Sequence, residues 1–248
     1  MKHRNSRIMM FVLLGALFLS ASSIYAETAE EYCNRGLAYA KQGNFTQAIF
    51  DYTKAIEINP NFTKAYYNRG VAYGMQDNFT QAIFDCNKAI KISPNLADAY
   101  CGRGVVYFRQ GNFLQAIVDY TNAIEINHNF ADAYCGRGAA YDNQGNLTQA
   151  IADYTKAIEI NPKCAEAYYD RGNDYGNQGN FSQAMSDFDE TIKINPNFAQ
   201  AYYGRSTTYF YQKDFTKAWE DMYKAESLGY KVNPKFLDAL KKASGRDK

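Results

Sequence analysis

The chain is 248 residues long, with 22 Tyr, 16 Phe and one Trp, and its 27 basic against 26 acidic side chains leave a net charge of +1. That balance excludes the basic excess on which nucleic-acid binding rests, so no nucleic-acid partner is expected. Two histidines, one of them His3 at the very start, leave general-base and metal chemistry without their usual residue; no enzyme, no cofactor and no metal site is expected.

Residues 1–26 have the pattern of an export signal. Lys2, Arg4 and Arg7 precede a twelve-residue apolar run, Ile8 to Leu19, and the small, polar stretch ending at Ala26 suits a cleavage region. A membrane span needs about 20 apolar residues, so no stable span is expected after cleavage. The expected destination is the periplasm or the exterior, with residues 27–28 as a short lead-in.

From Ala29 the chain repeats every 34 residues without insertion: 29–62, 63–96, 97–130, 131–164, 165–198 and 199–232. Such a period predicts one elongated stack of small units rather than two globular domains. Each unit shows two amphipathic helices separated by a tight turn, as at Gly43-Asn44 and Gly111-Asn112. The second helix opens on Asn-x-x-Gln, as in Asn44-Phe45-Thr46-Gln47, a capping arrangement. Pro60, Pro94, Pro162 and Pro196 stand near the ends of four units, where proline stops a helix; His128 holds that place in the third. The sequons at Asn44, Asn61, Asn78, Asn146 and Asn180 fall at places that read as helix caps. Residues 233–248 read as a capping helix and basic tail. Asn233 caps it, Pro234 takes its first position, Phe236, Leu237 and Leu240 form its apolar stripe, and Lys241, Lys242, Arg246 and Lys248 lie near its end.

Within the units a set of residues recurs at fixed places. Tyr32, Tyr66, Tyr100, Tyr134, Tyr168 and Tyr202 come first. Gly36, Gly70, Gly104, Gly138 and Gly172 follow, with Ser206 in the last unit. Further on stand Tyr39, Tyr73, Tyr107, Tyr141, Tyr175 and Tyr209, then Ala48, Ala82, Ala116, Ala150, Ala184 and Ala218. This pattern resembles the tetratricopeptide repeat family. The resemblance implies an all-α fold, a right-handed α-solenoid superhelix of six helix-turn-helix repeats plus a C-terminal capping helix. It also implies a concave groove, lined by the first helices, in which a peptide or protein segment docks. Counted along the units, Tyr67, Met75, Phe108, Arg109, Asn143, Tyr169, Asn173, Asn177, Tyr203, Phe210 and Tyr211 fall on that groove. For Tyr203, Phe210 and Tyr211, packing against the capping helix is the competing expectation. Family members that clamp a chaperone's C-terminal carboxylate use Lys, Asn and Arg at groove places. Here Asn68 matches the middle element, but Cys33, Leu37, Asp98 and Gly102 occupy others, so that clamp is absent. The expected function is a non-catalytic protein-interaction scaffold of the bacterial envelope. A groove-cysteine redox or enzyme-associated role and a structural self-associating module stay open beside it.

One place departs from the family's commonest form. Where Leu usually precedes the Gly, this chain has Arg35, Arg69, Arg103, Arg137, Arg171 and Arg205. Asp51, Asp85, Asp119, Asp153, Asp187 and Asp221 recur as strictly on the second helix. In a helical hairpin turning near Asn44 the two fall at one height, which predicts a structural ion pair repeated down the stack. The alternative is an arginine ladder kept for an anionic ligand. Cys33, Cys86, Cys101, Cys135 and Cys164 show no CxxC and no zinc spacing. Cys101 and Cys135 share one place in adjacent units, yet packed helices stand about 8–10 Å apart while a disulfide needs Cα atoms within about 7 Å. Buried, reduced thiols are expected.

Overall fold

Two kinds of turn divide the chain into helices. The structure, a computed structural model, describes residues 27–246; the expected signal segment lies outside the described residues. These form thirteen helices and no strand. The helices pair as hairpins: α1 (Ala29–Lys41) with α2 (Phe45–Ile58), α3 (Thr63–Met75) with α4 (Phe79–Ile92), and α5 (Ala97–Arg109) with α6 (Phe113–Ile126). Then come α7 (Ala131–Asn143) with α8 (Leu147–Ile160), α9 (Ala165–Asn177) with α10 (Phe181–Ile194), and α11 (Ala199–Tyr211) with α12 (Phe215–Ser227). The last helix, α13 (Pro234–Ser244), follows alone.

The turn inside each hairpin needs a left-handed residue. Gly43, Gly111, Gly145 and Gly179 supply it at φ of 75° to 77°, a conformation open to glycine without a Cβ clash. Asp77 and Lys213 adopt it at 59° and 64° in the second and sixth hairpins. The following Asn44, Asn78, Asn112 and Asn146 each accept, through the side chain, the backbone N–H three residues on. That satisfies one of the free donors at the helix start. Asn180 occupies the same place without this bond. Between hairpins, Asn59 accepts from the Asn61 N–H at 3.1 Å while Phe62 holds the N-cap place of α3. The cap places expected at Asn44, Asn78, Asn146 and Asn180 are therefore cap places, without the bond at Asn180, and the expectation must be corrected at Asn61.

Packing inside a hairpin rests on small residues opposite rings. Ala48, Ala82, Ala116, Ala150, Ala184 and Ala218 are fully buried; Gly36, Gly104, Gly138 and Gly172 lie under a ring of the second helix, while Gly70 faces Cys86. A Cβ on Gly36 would come within 2.7 Å of Tyr52, and one on Gly138 within 2.9 Å of Tyr154. In the sixth hairpin Ser206 replaces the glycine, and its hydroxyl donates to the Ala218 carbonyl at 2.6 Å.

A fork of arginine bonds ties each hairpin together. Nε and Nη2 of Arg35, Arg69, Arg103, Arg137, Arg171 and Arg205 meet both oxygens of Asp51, Asp85, Asp119, Asp153, Asp187 and Asp221 at 2.6–2.8 Å. The remaining Nη1 reaches back one helix, to Thr53, Thr121 and Thr155 from Arg69, Arg137 and Arg171 and to Asn87 and Asp189 from Arg103 and Arg205, while that of Arg35 meets Glu27 ahead of α1. Each guanidinium also lies 4.8–5.7 Å from the ring centroid of the tyrosine one helical turn earlier. All three nitrogens are engaged within the fold, which leaves no free fork for an anionic ligand.

The stacking sets the curvature. Every first helix touches the first helix of the next hairpin, from α1–α3 to α9–α11, whereas the second helices meet chiefly the first helices on either side. The first helices are thus the inner, more closely spaced layer, and their free faces line the concave side. At the far end α13 covers α12, burying Leu240 and joining Trp219 Nε1 to Ser244 Oγ at 3.0 Å. No described helix is long and apolar enough to cross a membrane.

Candidate functional site

On the inner face, two hollows collect part of the residues that counting places there. The first, about 350 Å³, spans α3, α5 and the start of α7 and is lined by Tyr67, Met75, Val105 and Arg109 together with Asp98 and Asp132. Its apolar floor is open to solvent, with Met75 56% and Val105 44% exposed. The second, about 380 Å³, lies between α9 and α11 and is lined by Asn173, Asn177, Thr207 and Tyr211. Tyr211, 65% exposed, stacks on Phe181 with centroids 5.5 Å apart and planes within 8°. Six of the eleven expected groove residues therefore border a hollow.

The others are engaged elsewhere. Phe108 turns its edge to Phe113 at 5.4 Å within the third hairpin. Tyr169 is half-buried between Phe188 and Phe198. Tyr203 packs on Tyr230 and Phe236 at 4.8 and 5.4 Å, and Phe210 on Phe236 at 5.6 Å. For these two the capping helix takes the rings, as the competing expectation had it. Asn143 is exposed and donates to the Ala139 carbonyl of its own helix at 2.9 Å. Arg109 does more than line the hollow. It donates to the Gly74 carbonyl and to Asp77, both at 2.6 Å, and so closes the end of α3 where Asp77 stands in the left-handed turn.

Counting places missed a carboxylate cluster. Asp170 and Asp174 lie one turn apart on α9, and Asp142 faces them from α7. In the other units the places of Asp170 and Asp174 hold Asn or Gly, and Ala, Val or Thr; an acid at a place otherwise small was the available signal. Asp174 is 1% exposed, and its Oδ2 has no hydrogen-bond partner. Burial, then the charge of Asp142 and a hydrogen bond to it, push Asp174 up to about 8. Burial first, then Asp142 and Glu166, push Asp170 up to about 6. Asp174 so placed keeps its proton near neutral pH, whereas Asp170 has largely given its proton up there.

The cysteines divide into two groups. Cys33, Cys86 and Cys101 are buried and free, and burial raises all three thiols. Cys135 and Cys164 are partly exposed, and Cys164 Sγ donates to Glu166 Oε2 at 3.8 Å. A hydrogen bond from Cys135, and next the Ala167 N–H at the start of α9, lower the Cys164 thiol. Cys164 occupies the N-cap of that helix. A second feature lies on the outer layer, where Phe50, Phe84 and Val118 take one place in three successive hairpins and are each about half exposed.

Comparisons with known proteins agree with this geometry. The tetratricopeptide repeat family model matches residues 29–62, 63–96, 97–130, 131–164 and 165–198. Among solved structures, YrrB, a TPR protein with an unusual peptide-binding site, is 25% identical with a TM-score of 0.62, over 78% of this chain and 97% of that one. MamA is 28% identical with a TM-score of 0.59, over 66% and 96%. PilF of Pseudomonas aeruginosa, 16% identical, shares the fold with a TM-score of 0.76 over 85% and 95%. Among curated proteins, Protein SGT1 homolog of Oryza sativa subsp. japonica is 42% identical over 55 residues, 22% of this chain and 15% of that protein. The chain thus matches a small part of that curated relative. Five matched units cover well over half of the sequence, and their hairpins carry the repeated glycine, alanine and tyrosine contacts described above: the chain belongs to the tetratricopeptide repeat family.

Proposed function

We propose that the protein is a non-catalytic scaffold that holds a peptide or protein segment in the groove of its first helices. The observation that carries this reading is the pair of inner hollows: Met75 and Val105 expose apolar surface in the first, and Tyr211 does so beside the amides of Asn173 and Asn177 in the second. Exposed apolar groups flanked by side-chain amides suit a chain segment rather than a small metabolite. YrrB, the relative with an unusual peptide-binding site, supports the same use of the fold. The hairpin α11–α12 is read as a sixth repeat because Arg205 and Asp221 repeat the ion pair of the other five. Residues 1–26 are read as a cleaved signal that delivers the scaffold to a bacterial envelope, in the periplasm or outside.

The test is affinity capture from an envelope extract. Wild type is compared with a Met75→Ala, Asn177→Ala, Tyr211→Ala variant confirmed folded by circular dichroism. A partner retained by wild type and lost by the variant is the expected result; equal capture by both would remove the groove as the site. Mass of the exported protein reads the signal directly, with cleavage after Ala26 expected.

A second reading has its own observation. The outer stripe of Phe50, Phe84 and Val118 is an apolar row on one face, of the kind that associates with a like surface. A mass that stays monomeric over a wide concentration range would dismiss self-association.

A further inference from the structure

Charge on the inner face is uneven. Along α5, α7 and α9 stand Asp98, Asp132, Asp142, Asp170 and Asp174, and among the described residues none of the five has an ion-pair partner, whereas each of the six aspartates of the second helices grips an arginine. Of the arginines on these helices, Arg103, Arg137 and Arg171 are held by those pairs and Arg109 is joined to Asp77. Apart from the proton held on Asp174, the groove here presents carboxylates that no basic side chain of the fold pairs.

At Asp174 the fold answers the crowding of acids by keeping a proton on the carboxyl near neutral pH, a proton that a bound cation would send to solvent. Asp174 Oδ2 is buried without a donor, and the neighbouring carboxyl groups of Asp142 and Asp170 can accept hydrogen bonds but bring no positive charge. In the other units the corresponding places hold uncharged side chains, Phe108 and Phe210 among them, so the repeat does not require acids here. The described residues hold no cluster arranged for a metal ion. What completes such a cluster is an organic cation with several donors: a lysine ammonium has three and an arginine guanidinium five.

We infer that the groove from α5 to α9 binds a basic segment of a partner protein, with one lysine or arginine seated against Asp142 and Asp170, above the buried Asp174. A further basic residue meets Asp98 and Asp132, which border the hollow where Met75 and Val105 take an apolar side chain. Opposed charges of this kind set register and partner choice across an interface. The inference deepens the groove reading and rests on it.

A displayed library of random twelve-residue peptides, panned against the immobilised protein, tests it. Clones held by wild type are expected to be enriched in Lys and Arg over the input. They should lose about ten-fold or more in affinity for an Asp142→Asn, Asp170→Asn, Asp174→Asn variant, and acetylation of their lysines should do the same. Asparagine keeps the shape of each site, and a melting temperature no lower than wild type checks the fold. Clones without basic enrichment, or bound equally by the variant, would overturn the proposal. If those clones still require Met75 and Tyr211, the groove reading survives alone; if none does, both fall. A concentration-dependent dimer lost in the variant would replace the partner by a second copy and overturn the proposal as well.

Discussion

Arg103 and Asp119 face each other across the third hairpin through two parallel bonds, Nε to Oδ2 at 2.7 Å and Nη2 to Oδ1 at 2.6 Å. Asp119 is 2% exposed, so its charge has little access to water. Replacing Arg103 by Leu leaves that carboxylate buried and unpaired, a change that costs about 3–5 kcal/mol. The melting temperature should drop accordingly, by roughly 2–4 °C per kcal/mol in a chain of this size. The double change Arg103→Leu, Asp119→Val should recover most of the loss, since an apolar pair of similar volume removes the buried charge. A single variant that melts like wild type would contradict the structural role of the pair.

Two glycines should respond in opposite directions to alanine. A Cβ on Gly136 would stand 2.5 Å from Tyr120 Cζ and 2.6 Å from its Cε1. Tyr120 cannot retreat, because it is buried and its ring also lies against Gly104. Gly136→Ala should destabilise by about 1–3 kcal/mol through overpacking. At Gly176 the nearest atom to an added Cβ is 4.0 Å away, so alanine brings only its helix preference, up to about 1 kcal/mol. Thermal melts of the two variants should move to opposite sides of wild type.

The hairpins were legible because the same constraint recurs in every unit. Gly43 and its equivalents, the Asn caps and the buried alanines appear at constant spacing, and the sixteen-residue interval from Arg to Asp places both at one height in any hairpin with this turn. The inner face was legible only in part. Place counting identifies which side of a first helix points inward, and Tyr67, Met75, Asn177 and Tyr211 border hollows there. It does not show what covers that side. Tyr203 and Phe210 meet Phe236 of α13, and the docking of a terminal helix follows no period. Nor does it show which side chains of successive units meet. Asp142 and Asp174 stand at different places of adjacent units, and Cys135 is neighbour to Cys164 at a helix cap rather than to Cys101 at its own place.

That thiol pair predicts an order of chemical reactivity. The thiolate is the reactive form. Hydrogen bonding from Cys135 and from the Ala167 N–H lowers the Cys164 thiol, while burial raises those of Cys33, Cys86 and Cys101. In the native protein an alkylating reagent at neutral pH should modify Cys164 first and leave the three buried thiols until unfolding. Peptide mass mapping over time gives the order. Prompt labelling of Cys101 would show that the inner layer opens, and it would restore a redox role for the groove cysteines.

Asp174 predicts how stability depends on pH. Its folded-state value of about 8 lies well above the ordinary 3.8, because the site is buried and Asp142 and Asp170 face it from α7 and α9. Tyr154 of α8 also shares this field: burial, then these aspartates, raise its hydroxyl. The native state therefore binds the Asp174 proton more tightly than the unfolded chain does. Its favourable contribution is complete below about pH 4 and is lost progressively as pH rises through about 8. An Asp174→Asn variant has no such proton to lose. Relative to it, wild type should weaken steadily between those limits by at most about 1.4 kcal/mol per pH unit, with no further divergence above. At neutral pH the variant should melt several degrees higher, at roughly 2–4 °C per kcal/mol. Thermal melts of both proteins at pH 4, 6, 7 and 9 make the comparison. Parallel curves would mean that Asp174 is ionised and solvated in the folded protein, and a variant less stable at every pH would mean that its carboxylate has a donor after all.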